Sequence, residues 1–245
     1  MHRAPMLADL SSAYLRNAAA MWAALAPSGT TATETWFDVD QPRIRRRIYF
    51  SPPAPGEVVR WLQRGPATKM LVAEHAFDAA PTVPGAAVYT MPMMVRPPGP
   101  TPPDEAPGVR VESVGDAARL EAAERLIVES FPTRAYLPYQ PGQFLPAATL
   151  SVPGFRVWVA YRDGSPAAAG YTYDDGTVVG LYSLATAPEH RRRGAGRALL
   201  AAAFAAYPDQ PFTLTATASG RSLYDALGFL PVATTTWHMR PARTV

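Results

Sequence analysis

The sequence predicts a mixed α/β protein: a C-terminal domain whose strands and helices surround one mixed sheet, preceded by a smaller α+β domain. Three observations carry that reading. Segments whose apolar residues recur at every second position alternate with segments of helical period along the chain. The 27 prolines cluster, notably at residues 96–108, where they interrupt both patterns. A length of 245 residues at 48% hydrophobic and 18% charged suits one large globular domain or two small ones.

The first element is an amphipathic helix over about residues 5–26, where polar residues punctuate an apolar stretch every few positions. It lacks the charged start, unbroken apolar core and cleavage site of a signal peptide. TETWFDVD and RIRRRIYF follow as strands. In the second, Ile44, Ile48 and Phe50 share a face with Arg46, while Arg43, Arg45, Arg47 and Tyr49 share the other. The arginine face reads either as solvated or as an anion or partner site. EVVRWLQRG reads as a short helix ending at Gly65, and TKMLVAEH and AAVYTMPMMVRP as two further strands.

RPPGPTPPDEAPG, residues 96–108, forms neither helix nor paired strand, because proline lacks the donor N–H and restricts its predecessor. It reads as a linker between a domain at 1–95 and one at 109–245. In the second domain GVRVESV is a strand and GDAARLEAAERLIVESF a helix with Leu120, Ala123, Leu126 and Ile127 on one face. FRVWVAYRD and SPAAAGYTYDD are strands joined at Asp163-Gly164, and TVVGLYSLATA is a third. GRALLAAAFAAY is a helix, PFTLTA a strand, SGRSLYDALG a helix stopping at Gly228, and FLPVATTTWHMR one or two final strands.

Composition narrows the chemistry. With no cysteine, disulfides, zinc-thiolate sites and thiol nucleophiles are excluded. The four histidines, His2, His75, His190 and His238, are scattered, so no metal is expected. The formal charge of +3 is mild and rests almost wholly on arginine, Lys69 being the only lysine. That balance fits an anionic ligand without requiring nucleic acid, although RIRRR and EHRRRG leave a nucleic-acid reading to be tested. No apolar run approaches the ~18 residues of a membrane span, and a cytoplasmic protein is expected.

The stretch APEHRRRGAGRALL, residues 187–200, lies between a strand and a helix. Gly194 and Gly196 remove two Cβ atoms where the chain enters the helix, so backbone N–H groups can approach a ligand. The helix start adds orphan donors and a partial positive charge, and a pyrophosphate is a natural occupant. The dinucleotide and P-loop fingerprints are not met, since Leu199 stands where the third glycine belongs and no Gly-Lys-Ser/Thr follows.

Arg191-Arg192-Arg193-Gly194-Ala195-Gly196 resembles the acyl-CoA signature of the GNAT superfamily of N-acetyltransferases, Arg/Gln-x-x-Gly-x-Gly/Ala. Downstream, Leu223-Tyr224-Asp225-Ala226-Leu227-Gly228-Phe229 resembles the late family motif Leu-Tyr-x-x-x-Gly-Phe. The resemblance covers about residues 108–240. It implies the GNAT acyl-CoA N-acyltransferase fold and an acetyl-CoA-dependent transfer of acetyl to an amine of a small molecule or peptide. By the same resemblance, the amides of Arg192, Arg193, Gly194, Ala195, Gly196 and Arg197 grip the CoA pyrophosphate with Arg191 beside them. The pantetheine arm pairs with Leu184, Ala185 and Thr186, and Tyr224 protonates the departing thiolate.

Two departures stand out. The strand before the loop, VVGLYSLAT, has no carboxylate to serve as a base; Ser183, Tyr182 or a water are the relays open to it. Thr217 stands where the second motif often has asparagine. The missing carboxylate leaves a second reading, a non-catalytic acyl-CoA-binding or regulatory module. The N-terminal domain lacks the loop and reads as a degenerate GNAT-like half, an acceptor-pocket wall or a homodimer interface. Several further residues admit two readings. Asp174 and Asp175 suit a hairpin turn or a catalytic or amine-binding role, and His238 a surface or packed residue or a base. His190 and Glu189 suit the solvent side of the loop. Tyr136, Tyr139 and Phe144 suit an acceptor pocket or lid packing.

Overall fold

The computed structural model describes residues 7–77, 82–101, 106–131 and 134–242. Helix α1 (Leu7–Leu25) is followed by β1 (Thr30–Ala32), β2 (Trp36–Asp40), β3 (Ile44–Tyr49), α2 (Glu57–Arg64), β4 (Met70–His75) and β5 (Ala87–Arg96). Then come β6 (Val109–Ser113), α3 (Ala117–Ser130), β7 (Phe155–Arg162), β8 (Ser165–Asp174) and β9 (Val179–Thr186). The chain closes with α4 (Ala195–Ala206), β10 (Phe212–Thr215), α5 (Arg221–Ala226) and β11 (Leu230–Arg240). This is the expected mixed α+β order, with the final segment forming a single strand. The chain divides into two compact units: one holds the residues up to Val95 with Leu214–Asp225 and those from Phe229 onward, the other Arg96–Thr213 with Ala226–Gly228.

In the first unit the strands run β1-β2-β3-β4-β11-β5. Only β3 and β4 pair in parallel, and the helical crossover α2 connects them, as parallel neighbours require. On β3 the expected alternation holds from Ile44 to Ile48: Ile44, Arg46 and Ile48 are buried and Arg45 and Arg47 half-buried, whereas Tyr49, expected on the arginine face, is buried. A buried guanidinium needs a partner, because desolvation penalises an unpaired charge. Arg46 Nη1 donates to Glu74 Oε2 (3.0 Å), and Trp22 and Trp237 flank it at 4.7 and 4.8 Å. The other Glu74 oxygen accepts from the Tyr14 hydroxyl (3.0 Å). Burial pushes the Glu74 carboxyl up, and the Arg46 charge opposes it.

In the second unit the order is β10-β9-β8-β7-β6. Strands β6 to β9 form an antiparallel meander, and β10 joins β9 in parallel after the α4 crossover. Asp116 caps α3 by accepting from the Arg119 N–H (2.9 Å). The helix buries its expected face, Leu120, Ala123, Leu126 and Ile127, and with it Glu124. That carboxylate accepts from the N–H groups of Gly142 (2.7 Å), Phe144 (2.7 Å) and Leu145 (2.9 Å) and from the Tyr139 hydroxyl (3.0 Å). Four donors replace the water that burial removes, and they tie residues 139–145 to α3. At the start of the proline-rich segment, Arg96 lies 4.2 Å above the Phe204 ring and donates to the carbonyls of Leu227 (3.1 Å) and Pro100 (2.7 Å).

Candidate active site

Strand β9 is the spine of the site. One edge pairs with β8 from Val179 to Thr186. On the other edge the ladder to β10 comprises only Val179 with Phe212 and Gly180 with Thr213. Past Gly180 the two strands part, so the edge of Leu184, Ala185 and Thr186 has no β10 partner. An extended ligand can add to such an edge as a strand does.

The β8 edge of β9 is irregular. Ala169 pairs with Ala185 and Tyr171 with Tyr182, so Gly170 alone faces Ser183 and Leu184. The extra residue on β9 is a bulge, which bends the strand and re-aims a side chain. Ser183 adopts φ +51°, a left-handed conformation costing about 1–2 kcal/mol for a non-glycine residue. Gly170 is glycine for a steric reason: a Cβ there meets Leu184 Cα at 3.1 Å and the Tyr182 carbonyl oxygen at 3.4 Å. The Ser183 hydroxyl donates to the Tyr171 hydroxyl in a long bond of 3.5 Å. Tyr171 is buried, its ring stacked between Phe155 (5.0 Å) and Tyr182 (5.6 Å).

After β9 the chain makes one 3-10 turn, Pro188–His190, and reaches α4 through two left-handed residues, Arg192 (φ +59°) and Gly194 (φ +85°). Among the described residues the amides of 192–197 donate to no protein acceptor; the first helical bond is Ala198 N–H to the Gly194 carbonyl (2.9 Å). No side chain caps the helix. Six consecutive donors and the positive end of the helix dipole therefore stand together, a preformed anion cradle. Gly194 has a second reason to be glycine, since a Cβ would lie 2.7 Å from the Ala106 Cβ.

The arginines divide their work. Arg191, itself exposed, donates from Nε to the Thr186 carbonyl (3.2 Å) and from Nη2 to the Ser130 carbonyl (3.5 Å), which ties the loop to the end of β9. Arg162, at the end of β7, donates to the Arg193 carbonyl from beneath. Arg192 and Arg193 are exposed and form no ion pair among the described residues. Arg197 is half-buried with an unpartnered Nε. Amides and free guanidinium groups together fit a diphosphate.

Tyr224 lies on α5, in the first unit. It is buried, its ring 5.6 Å from Phe229 and packed over Gly220, where a Cβ would come within 3.0 Å of the Tyr224 Cε2. Burial pushes the phenol up to about 12. A phenol so weakly acidic stays protonated.

The other candidates have local contacts of their own. The Asp174 and Asp175 carboxylates accept from the N–H groups of Gly176 and Thr177 (both 2.8 Å), so they build the hairpin turn. His238 is buried with its Nε2 3.2 Å from His75 Nε2. Tyr136 and Phe144 are buried and meet edge-to-face at 5.1 Å, and Phe144 lies edge-on to Tyr171 at 6.2 Å. Three residues of the site went unread in the sequence: Gly170, Arg162 and Glu124. For Glu124 the signal is its position one residue beyond Ala123, inside the apolar stripe of α3.

Residues 153–231 match the family model described as "Acetyltransferase (GNAT) domain". That segment is a GNAT domain. The fold agrees. A GCN5-related N-acetyltransferase from Kribbella flavida aligns with a TM-score of 0.64 at 22% identity, over 94% of this chain and 96% of its own. One from Sphaerobacter thermophilus gives 0.60 at 17%, over 99% and 96%. A functionally unknown conserved protein from Staphylococcus epidermidis gives 0.63 at 12%, over 87% and 93%. At these identities the likeness establishes a GNAT fold. No curated protein matches the sequence significantly. Among the described residues no helix is long and apolar enough to cross a membrane, and no three His, Asp or Glu side chains are grouped to hold a metal.

Proposed function

We propose that the protein moves an acetyl group from acetyl-CoA to an amine of a small molecule or peptide. The observation that carries this reading is the run of free amides over residues 192–197, directly after the unpaired edge of β9. The cradle suits the CoA diphosphate, and the edge at Leu184, Ala185 and Thr186 suits the amide-bearing pantetheine arm. The amine nitrogen bonds to the acetyl carbon as the carbon–sulfur bond breaks, and the proton lost by the amine balances the one gained by sulfur. Tyr224, a buried neutral phenol in the family's late motif, is the proposed hydrogen-bond donor to the departing sulfur. Ser183, held at the bulge and bonded to Tyr171, is the proposed relay for the amine proton, since β9 supplies no carboxylate.

That missing carboxylate is also the one observation favouring a non-catalytic acyl-CoA-binding module. Incubation with acetyl-CoA and a panel of amines, following the free thiol, separates the two: amine-dependent thiol release supports transfer, and binding without release supports the module.

A further inference from the structure

The first unit carries an arginine-lined cleft that shares no residue with the glycine loop. It has a volume of about 270 Å³, and its walls include Arg45 and Arg47 from β3 and Glu57, Arg60, Trp61 and Arg64 from α2. The spacing on α2 explains the grouping, because positions 57, 60, 61 and 64 recur at helical period and share one face.

The floor is rigid. The buried Asp38 accepts from Arg47 Nε (2.6 Å) and Nη2 (2.8 Å), from Arg45 Nη2 (3.1 Å) and from Trp61 Nε1 (3.4 Å). Arg47 also lies 3.8 Å from the Trp36 ring centroid and 5.5 Å from that of Trp61. Asp38 is thus saturated, and it holds two guanidinium groups in fixed orientation. Glu57 adds one weak contact to Arg47 (3.5 Å) and accepts from the Ala54 N–H (3.2 Å).

The charges do not balance. Four guanidinium groups face two carboxylates, Asp38 and Glu57, so the cleft carries 4 − 2 = +2. Arg60 donates only to the Pro55 carbonyl (3.3 Å), and Arg64 forms no ion pair among the described residues. Arg45 Nε is buried without a partner. A concave site of net positive charge, with unfilled forked donors above a fixed floor, concentrates anions.

We infer that this cleft binds a small molecule bearing two or more negative charges, of the phosphate or polycarboxylate class, through Arg60 and Arg64 above the Arg45–Asp38–Arg47 floor. Both outer arginines are exposed, so replacing them leaves the core intact. The test is calorimetric titration of the full chain with inorganic pyrophosphate and, separately, citrate, each with acetyl-CoA present in excess, on the parent and on Arg60→Gln/Arg64→Gln. At least one anion should bind the parent saturably and the double variant at least ten-fold more weakly, and the arm that responds identifies the class. If neither anion binds the parent, or the variant binds as tightly, the inference is overturned. A fault in the acetyl-CoA reading leaves this outcome untouched, because the comparison is between two forms differing only in the cleft.

Discussion

Gly170 lies directly opposite the kink in β9, so close that a single added carbon would meet Leu184 Cα at 3.1 Å. The bulge and the glycine are one feature seen from two strands. The parting of β9 from β10 past Gly180 lies on the same strand, next to the edge proposed for the acyl donor. Gly170→Ala is expected to destabilise the fold by about 1–3 kcal/mol through overpacking and to weaken acetyl-CoA binding. Thermal denaturation and calorimetric titration check both effects. Parental binding in the variant would show that β9 tolerates reshaping.

Glu124 is the organiser of residues 139–145. Glu124→Gln keeps the shape but replaces acceptor oxygen with an NH₂ group facing backbone donors. A loss of about 1–3 kcal/mol is expected in urea denaturation, from donors left without acceptors. An unchanged midpoint would mean that water takes over the role.

Tyr224→Phe tests the proposed donor. If the hydroxyl assists the departing sulfur, kcat falls on the order of ten- to a hundred-fold while the dissociation constant for acetyl-CoA stays nearly constant. Steady-state rates and a binding titration on the same preparation give both values. Equal rates would make Tyr224 a packing residue.

The His75–His238 pair predicts a pH dependence of stability. Phe77 N–H donates to His75 Nδ1 (3.3 Å), which places the His75 proton on Nε2, facing His238 Nε2. Burial, with the neighbouring His238 adding to it, lowers His75 to about 4; burial lowers His238 as well. In the unfolded chain a histidine takes up its proton near 6.5. The unfolded state therefore binds more protons between those values, and stability falls as pH drops from about 6.5 toward 4, by on the order of 3 kcal/mol for His75. Glu74, raised by burial, acts in the opposite sense. The readout is accordingly the difference in slope between the parent and His75→Gln across that window. Parallel slopes would contradict the assignment.

Much of this was legible in the sequence. Helical and strand periods placed the elements, the Arg45/Arg47 face separated from the Ile44/Arg46/Ile48 face by simple alternation, and Asp174 and Asp175 announced a turn. The glycine loop was readable because Gly194 and Gly196 are local signals whose consequence is local. What stayed hidden depends on distant partners. Nothing beside Ser183 marks a positive φ, because the bulge arises from registry with β8. Arg162 reaches the Arg193 carbonyl across 31 residues of chain, and Glu124 is explained by donors 15–21 residues away. Arg60 and Arg64 look like ordinary helix surface until β3 brings Arg45 and Arg47 beside them.

The central claim is that the amides of residues 192–197 clasp the diphosphate of coenzyme A. The most direct measurement is calorimetric titration of acetyl-CoA into the parent and into Gly194→Glu, with folding of both checked by circular dichroism. The account predicts saturable one-site binding to the parent and none to the variant, whose carboxylate would occupy the cradle. A parent that fails to bind, or a folded variant that binds equally well, would contradict it.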